Sequence, residues 1–294
     1  MLVETAGTGG SGAGAIRDGI DNSFLLPTPQ GDAGNCEVWE LILPLVWIGR
    51  TMQPDSCGHG RYRSGYSMIC TYLIYKTPGL YFDIACGAPY IPMNTGIFGG
   101  YPATSHGIAY VKGANIKELI AERKPLVHEL GDPRDLDIMK KVKGKHEVFI
   151  SSPRQFDDVL GDGDVMQGFN NSSAGGYGDP IERDLGLIKK DLDNGVLSLE
   201  ICRNVYCAEA SFDPKTDEYV IDEQKTQELR ERERKERLER GTPTKEWWRK
   251  SRQRVISGEF PPLLKAMYND SLAKGERWPE EFRAFWNLPE NFTF

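Results

Sequence analysis

Residues 57–65 read Cys57-Gly58-His59-Gly60-Arg61-Tyr62-Arg63-Ser64-Gly65, which brings a thiol, an imidazole and two guanidiniums into one short stretch. Cys57 and His59 are a soft and a borderline metal donor, but a site needs further ligands. His106, His128 and His146 stand singly, and there is no second cysteine pair or helically spaced histidine pair to complete one. No metal site is therefore expected within this chain. Arg61 and Arg63 suit an anion better, because two guanidiniums can grip a carboxylate, a carbonate or a phosphate. The competing reading is that both arginines are solvated or ion-paired. His59, Arg61 and Arg63 are the candidate catalytic residues.

Other glycine-rich and acidic stretches fail for want of context. Gly7-Thr8-Gly9-Gly10-Ser11-Gly12 has the letters of a dinucleotide fingerprint, and Asp32 lies at the spacing of the ribose acid. Such a fingerprint needs a strand before it and a helix after it, whereas Gly19, Pro27 and Pro29 follow here. A loop whose backbone passes close to another segment is the simpler expectation, and no cofactor-binding residues are assigned. Asp162-Gly163-Asp164 opens like a calcium loop but lacks the later oxygens and the closing glutamate, so a turn explains it. No serine or cysteine is placed as an activated nucleophile.

The elements that must position these residues fall into two regimes. Of 32 glycines, only Gly241, Gly258 and Gly275 lie beyond Gly195. The glycine-rich part reads as short strands joined by turns, with strands expected over 38–48, 67–75, 81–86 and 147–150, where β-branched and aromatic residues dominate. A helix is expected from Asn115 to Pro125. A longer one is expected from Asp179, with Asp179 as cap, Pro180 in the first turn, a stripe of Ile181, Leu185, Ile188 and Leu192, and a stop at Asn194-Gly195. Ser198 can cap a short helix carrying Ile201, Cys202 and Val205. The fold class is thus α+β: a strand-rich glycine-containing body with a few helices, followed by a charged helix and an aromatic-rich tail.

From Asp222 to Arg240 seven acidic and seven basic residues surround only two leucines, Leu229 and Leu238. Glutamates precede basic residues by four, as in Glu233 and Arg237, so a solvated connecting helix is expected. Ten aromatics follow, from Trp247 to Phe294. They read as a docking segment that packs on another surface, either the body or another subunit. The expected organisation is 1–208 as body, 209–240 as connector and 241–294 as docking segment.

Charge and hydropathy narrow the partners. The chain carries 36 basic and 43 acidic side chains, a net charge of −7, which disfavours nucleic acid or an anionic membrane as main partner. The basic cluster Lys245, Arg249, Lys250, Arg252 and Arg254 beside two tryptophans suits an interface better than RNA. The longest apolar run, 41–48, is broken by Pro44 and far too short to span a bilayer. With no signal-like start and six scattered cysteines, a cytoplasmic chain with reduced thiols is expected.

Three segments together resemble the hydantoinase B family, which includes subunits of 5-oxoprolinases and of acetone and acetophenone carboxylases. They are Arg17-Asp18-Gly19-Ile20-Asp21 after the first glycine cluster; 31–40 with Gly58–Gly65, where Ser64 replaces a family glycine; and Gly175-Gly176-Tyr177-Gly178-Asp179-Pro180-Ile181-Glu182-Arg183-Asp184 with 193–198 and 204–206. Trp39-Glu40 and the Trp-rich tail are closer to the ketone carboxylase branch. The resemblance implies a subunit of an ATP-dependent ketone carboxylase, most like the epsilon subunit of the acetophenone carboxylase type, inactive by itself. The alternatives are a subunit of an ATP-dependent hydantoinase or oxoprolinase, or a purely structural subunit. It further implies large hydantoinase A-like and B-like partner subunits, ketone and bicarbonate as substrates of the complex, ATP with Mg or Mn, and a metal held by a partner. Family subunits are longer, and the resemblance places this chain in their latter part.

Overall fold

The computed structural model describes residues 9–23, 35–84, 94–105, 107–124, 142–150, 156–169 and 174–294. His106 and His128, the segment 1–8 and residues 31–34 lie outside them. Contacts divide the chain into two units, 1–231 and 232–294.

The first unit is built on a five-stranded antiparallel sheet of order β1 (Leu45–Met52), β2 (Met68–Ile74), β7 (Val165–Phe169), β4 (Gly107–Lys112) and β5 (Lys145–Ile150). β2 reads Met-Ile-Cys-Thr-Tyr-Leu-Ile without polar alternation, as a strand covered on both faces should. On one face Met68, Cys70, Tyr72 and Ile74 pack with Phe82, Ile108, Tyr110, Leu160 and Met166. Phe82 and Leu160 come from a two-stranded ribbon of β3 (Leu80–Ile84) and β6 (Phe156–Leu160). On the other face Leu73, Ala109, Val111 and Val165 meet Ile116 of helix α2 (Ile116–Ala121). A buried polar pair inside the sheet is closed, with Gln167 Nε2 donating to Thr71 Oγ1 at 3.0 Å.

Two expectations are corrected. Residues 38–42 are not strand: α1 (Cys36–Ile42) starts at Asn35, whose side chain accepts from Glu37 N at 2.8 Å, and β1 begins only after Pro44. A local cap and the restriction that proline places on Leu43 override the β-branched composition. The helix expected from Asp179 is in fact two pieces. Asp179 caps a single 3-10 turn, Pro180–Glu182; Arg183 is extended; and Asp184 caps α3 (Leu185–Asp193) through Leu187 N. Two acidic caps five residues apart are the signal of that break. Ser198 caps α4 (Leu199–Asn204) as expected, through Ile201 N at 3.1 Å.

α3, α4 and the hairpin of β8 (Glu209–Asp213) and β9 (Glu218–Asp222) share a core of Ile188, Leu192, Leu197, Cys202, Tyr206, Ala208 and Tyr219. Helix α5 (Glu223–Arg240) begins in this unit, where buried Thr226 accepts from Glu209 N at 3.0 Å. It ends in the second unit, where Glu233 pairs with Arg237 at 2.8 Å as its spacing requires.

The second unit continues through α6 (Thr244–Ser257), α7 (Pro262–Lys274) and α8 (Trp278–Trp286). Its aromatics pack on one another: Trp248 stacks on Trp286, and Tyr268 meets Trp278, Phe282 and Phe294. Arg252 donates to Trp286 O and Asn287 O, satisfying carbonyls that the end of α8 leaves open. Among the described residues no helix is long and apolar enough to cross a membrane.

Asp164 controls how β6 turns into β7. This buried carboxylate accepts from Gly113 N at 2.8 Å and Gly161 N at 2.7 Å. Asp164→Ala would strand two backbone donors, and urea unfolding should show a loss of about 2–3 kcal/mol.

Candidate functional site

Three chain segments, 58–62, 95–101 and 174–178, run so close that side chains could not fit between them. Tyr62 and Tyr177 exchange backbone hydrogen bonds at 2.9–3.0 Å, Ile97 N donates to Gly176 O, and Tyr101 N donates to His59 O. A Cβ on Gly176 would fall 2.2 Å from His59 O, and one on Gly65 would fall 1.9 Å from Ile20 O. Glycine here is a requirement of backbone contact. The described part of the first glycine cluster behaves the same way: a Cβ on Gly10 would strike Gly65 at 2.0 Å. That is the close-passing loop expected there.

Beneath these loops lies an ionic cluster. Arg63 Nε and Nη2 grip the two oxygens of Asp191 at 3.0 Å each, while Nη1 reaches Asp21 at 2.7 Å. Arg183, fully buried, holds both oxygens of Asp18 at 2.7 Å and Asp191 Oδ2 at 2.8 Å. Asp191 thus lies between two guanidiniums. Asp18 Oδ1 also accepts from Arg63 N, and Asp21 Oδ1 from Tyr66 N. Burial works against the charge on both arginines, but Asp191 beside Arg63 and Asp18 beside Arg183 reverse this and raise both pKa values. Burial likewise works against Asp18, and Arg183 then holds its carboxyl below the usual range.

Burial, more than the cluster, sets the state of the neighbouring Cys57 and His59 pair. His59 Nδ1 is hydrogen-bonded to the buried Tyr206 hydroxyl at 2.8 Å and lies 3.4 Å from Cys57 Sγ. Burial, then the charges of Arg183 and Arg63, push the His59 pKa down to about 4. Burial pushes the Cys57 thiol up to about 12. At neutral pH this is a neutral imidazole beside a protonated thiol, which is not an activated nucleophile. Among the described residues no group of three or more His, Cys, Asp or Glu side chains is arranged to hold one.

The three candidate residues therefore separate. Arg63 is committed to Asp191 and Asp21, in line with the ion-paired reading. His59 is locked below the glycine loops. Arg61 projects outward, half exposed, over the Tyr62 ring at 5.7 Å and 3.9 Å from Glu182. Residue type and local spacing do not single out Asp18, Asp21, Arg183, Asp191 and Tyr206 as one cluster, since even the directly paired Asp18 and Arg183 stand 165 positions apart. The available signal was the presence of Asp18, Asp21, Arg183 and Tyr206 inside the family-like segments.

With this geometry in place, the Hydantoinase B/oxoprolinase family profile matches residues 1–180, and the chain belongs to that family. It is similar to the acetone carboxylase alpha subunit of Xanthobacter autotrophicus, 28% identical over 97% of this chain and 36% of that one. It is also similar to the acetophenone carboxylase delta subunit of Aromatoleum aromaticum, 32% identical over 86% of this chain and 36% of that one. A nucleotide-free structure of acetone carboxylase superposes with a TM-score of 0.69 at 27% identity, covering 95% of this chain and 36% of the other. The chain thus spans about a third of the length of these relatives. Its mixed helix and antiparallel-sheet architecture is the α+β class expected.

Two outcomes test the site. Asp191→Asn should destabilise the protein by about 3–5 kcal/mol in urea unfolding, because two buried guanidiniums lose their shared counter-charge. The depressed His59 pKa makes the folded state a poorer proton acceptor than the unfolded chain below the ordinary value of 6.5. Stability should therefore fall as pH drops from 6.5 towards 4, by up to about 3 kcal/mol. The Asp18 contribution is lost only at lower pH. His59→Gln should flatten the upper part of that decline in pH-dependent thermal melts.

Proposed function

We propose that the chain works as a subunit, or part of one, in an ATP-dependent ketone carboxylase complex. The observation that carries this reading is similarity running along nearly the whole chain to subunits of two ketone carboxylases. The finer proposal is an accessory subunit resembling the epsilon type of acetophenone carboxylase. It would act in the cytoplasm with large hydantoinase A-like and B-like subunits on an aryl ketone and bicarbonate. ATP with Mg or Mn, and any further metal, would be held by those partners.

The chain's own part in this reading is positional. Carboxylation of a ketone methyl needs an enolate and an activated bicarbonate brought together away from water. Interlocked glycine backbone over a closed ionic cluster gives a stiff wall for such a chamber. Arg61 supplies an outward cation that can meet bicarbonate or a phosphorylated intermediate. The division proposed is a body, 1–208, that forms the wall, a connector, 209–240, and a docking segment, 241–294. An amide-opening role in a hydantoinase-type complex is the second reading, favoured by the family's description.

Reconstitution decides between them. Adding the chain to its large subunits should restore ketone-dependent ATP hydrolysis and fixation of labelled bicarbonate, whereas opening of cyclic amides without bicarbonate would favour the second reading. Equal activity without the chain would overturn both. Arg61→Ala should lower carboxylation about tenfold or more while the complex still assembles, since an exposed arginine contributes little to the fold.

A further inference from the structure

The charge of the chain is divided unevenly between its two units. Residues 232–294 carry 14 basic and 10 acidic side chains, a net of +4, whereas residues 1–231 carry 22 and 33. The surplus concentrates on α6, where Lys245, Arg249, Lys250, Arg252 and Arg254 face only Glu246. Three of these cations are engaged within the unit. Lys250 pairs with Glu246 at 2.7 Å, Arg252 donates to the carbonyls ending α8, and Arg254 lies over the Phe260 ring. Lys245 and Arg249, one helical turn apart, have no salt bridge among the described residues.

Those two cations flank a pocket of about 450 Å³ lined by Thr244, Lys245, Trp247, Trp248, Arg249 and Phe285. Its walls are fixed in advance. Trp248 stacks on Trp286 and donates Nε1–H to Phe285 O at 3.1 Å, while Trp247 and Phe285 also pack against Trp286. Yet Trp247 is 51% exposed and Phe285 57% exposed. A preformed aromatic surface loses little ordering entropy on binding, and aromatic and arginine side chains dominate interface energetics.

We infer that this face of α6 and α8 binds an acidic segment of a partner polypeptide, with an apolar side chain seated between Trp247, Trp248 and Phe285 and carboxylates meeting Lys245 and Arg249. Nucleic acid fits less well, since a phosphate chain requires a run of unpaired cations and this pocket offers two. The inference is independent of the ketone reading and holds for any acidic partner of that form.

The test uses the full chain and three labelled probes: a short synthetic peptide of glutamates around one leucine, its glutamine counterpart, and a single-stranded oligonucleotide. Fluorescence anisotropy, with tryptophan emission as a second signal, should show binding of the acidic peptide and at least about tenfold weaker binding of the glutamine peptide. Lys245→Glu with Arg249→Glu should weaken the acidic peptide about tenfold or more, and Trp247→Ala should do so with the charges intact. Circular dichroism confirms that these exposed-site variants fold. No binding of the acidic peptide, equal binding of the glutamine peptide, preference for the oligonucleotide, or binding that survives both variants would each overturn the inference.

Discussion

Asp191 is the constraint on which the first unit turns. One carboxylate on α3 lies between Arg63, from the glycine loops, and Arg183, from the extended residue between the 3-10 turn and α3. Those arginines in turn hold Asp21 and Asp18 on the 9–23 segment. Removing a guanidinium from water is costly unless its donors find oxygens, so the arrangement stands only with nearly all of its parts present. Two arginines meet three aspartates in a region where backbone segments already touch through glycine. The cluster and the glycines are complementary devices: one draws the loops inward and the other allows them to close.

That closure explains why the most reactive-looking stretch of the chain is chemically quiet. Burial away from water keeps the Cys57 thiol protonated and, with the charges of Arg183 and Arg63 added to it, keeps the His59 imidazole neutral. A neighbouring cation favours a thiolate, but desolvation of a fully buried sulfur outweighs it here. Arg61 differs from Arg63 only in where the interlocked backbone directs it. In the function proposed above, the weight rests on a rigid surface and its outward cation, which suits a component of a larger assembly.

Much of this is legible in the sequence. The buried strand β2, the caps at Asp179 and Ser198 and the charged helix α5 follow from local pattern, because caps and periodicity act over a few residues. The front of the strand expected over 38–48 is lost to a helix capped at Asn35, and the single helix expected from Asp179 is divided at Arg183. Composition sees neither a competing cap nor the demand of a distant carboxylate for a guanidinium. The cluster itself joins Asp18 to Arg183 across most of the first unit, and spacing rules have no reach at that distance. The pocket on α6 and α8 shows the same limit: the Trp-rich tail announces stickiness, but only the packing shows which rings stay outside.

Hydrogen–deuterium exchange on Asp18→Asn tests most directly whether the ionic cluster fastens the 9–23 segment to the body. The variant keeps the shape of the side chain and removes the charge that Arg183 holds. Amides of Ser11, Gly19 and Asn22, which donate to Ile20, Arg63 and Tyr66, should exchange about tenfold faster or more, while α3 and the five-stranded sheet stay protected. Unchanged protection across 11–22 would contradict the account, as would loss spread evenly over the whole unit.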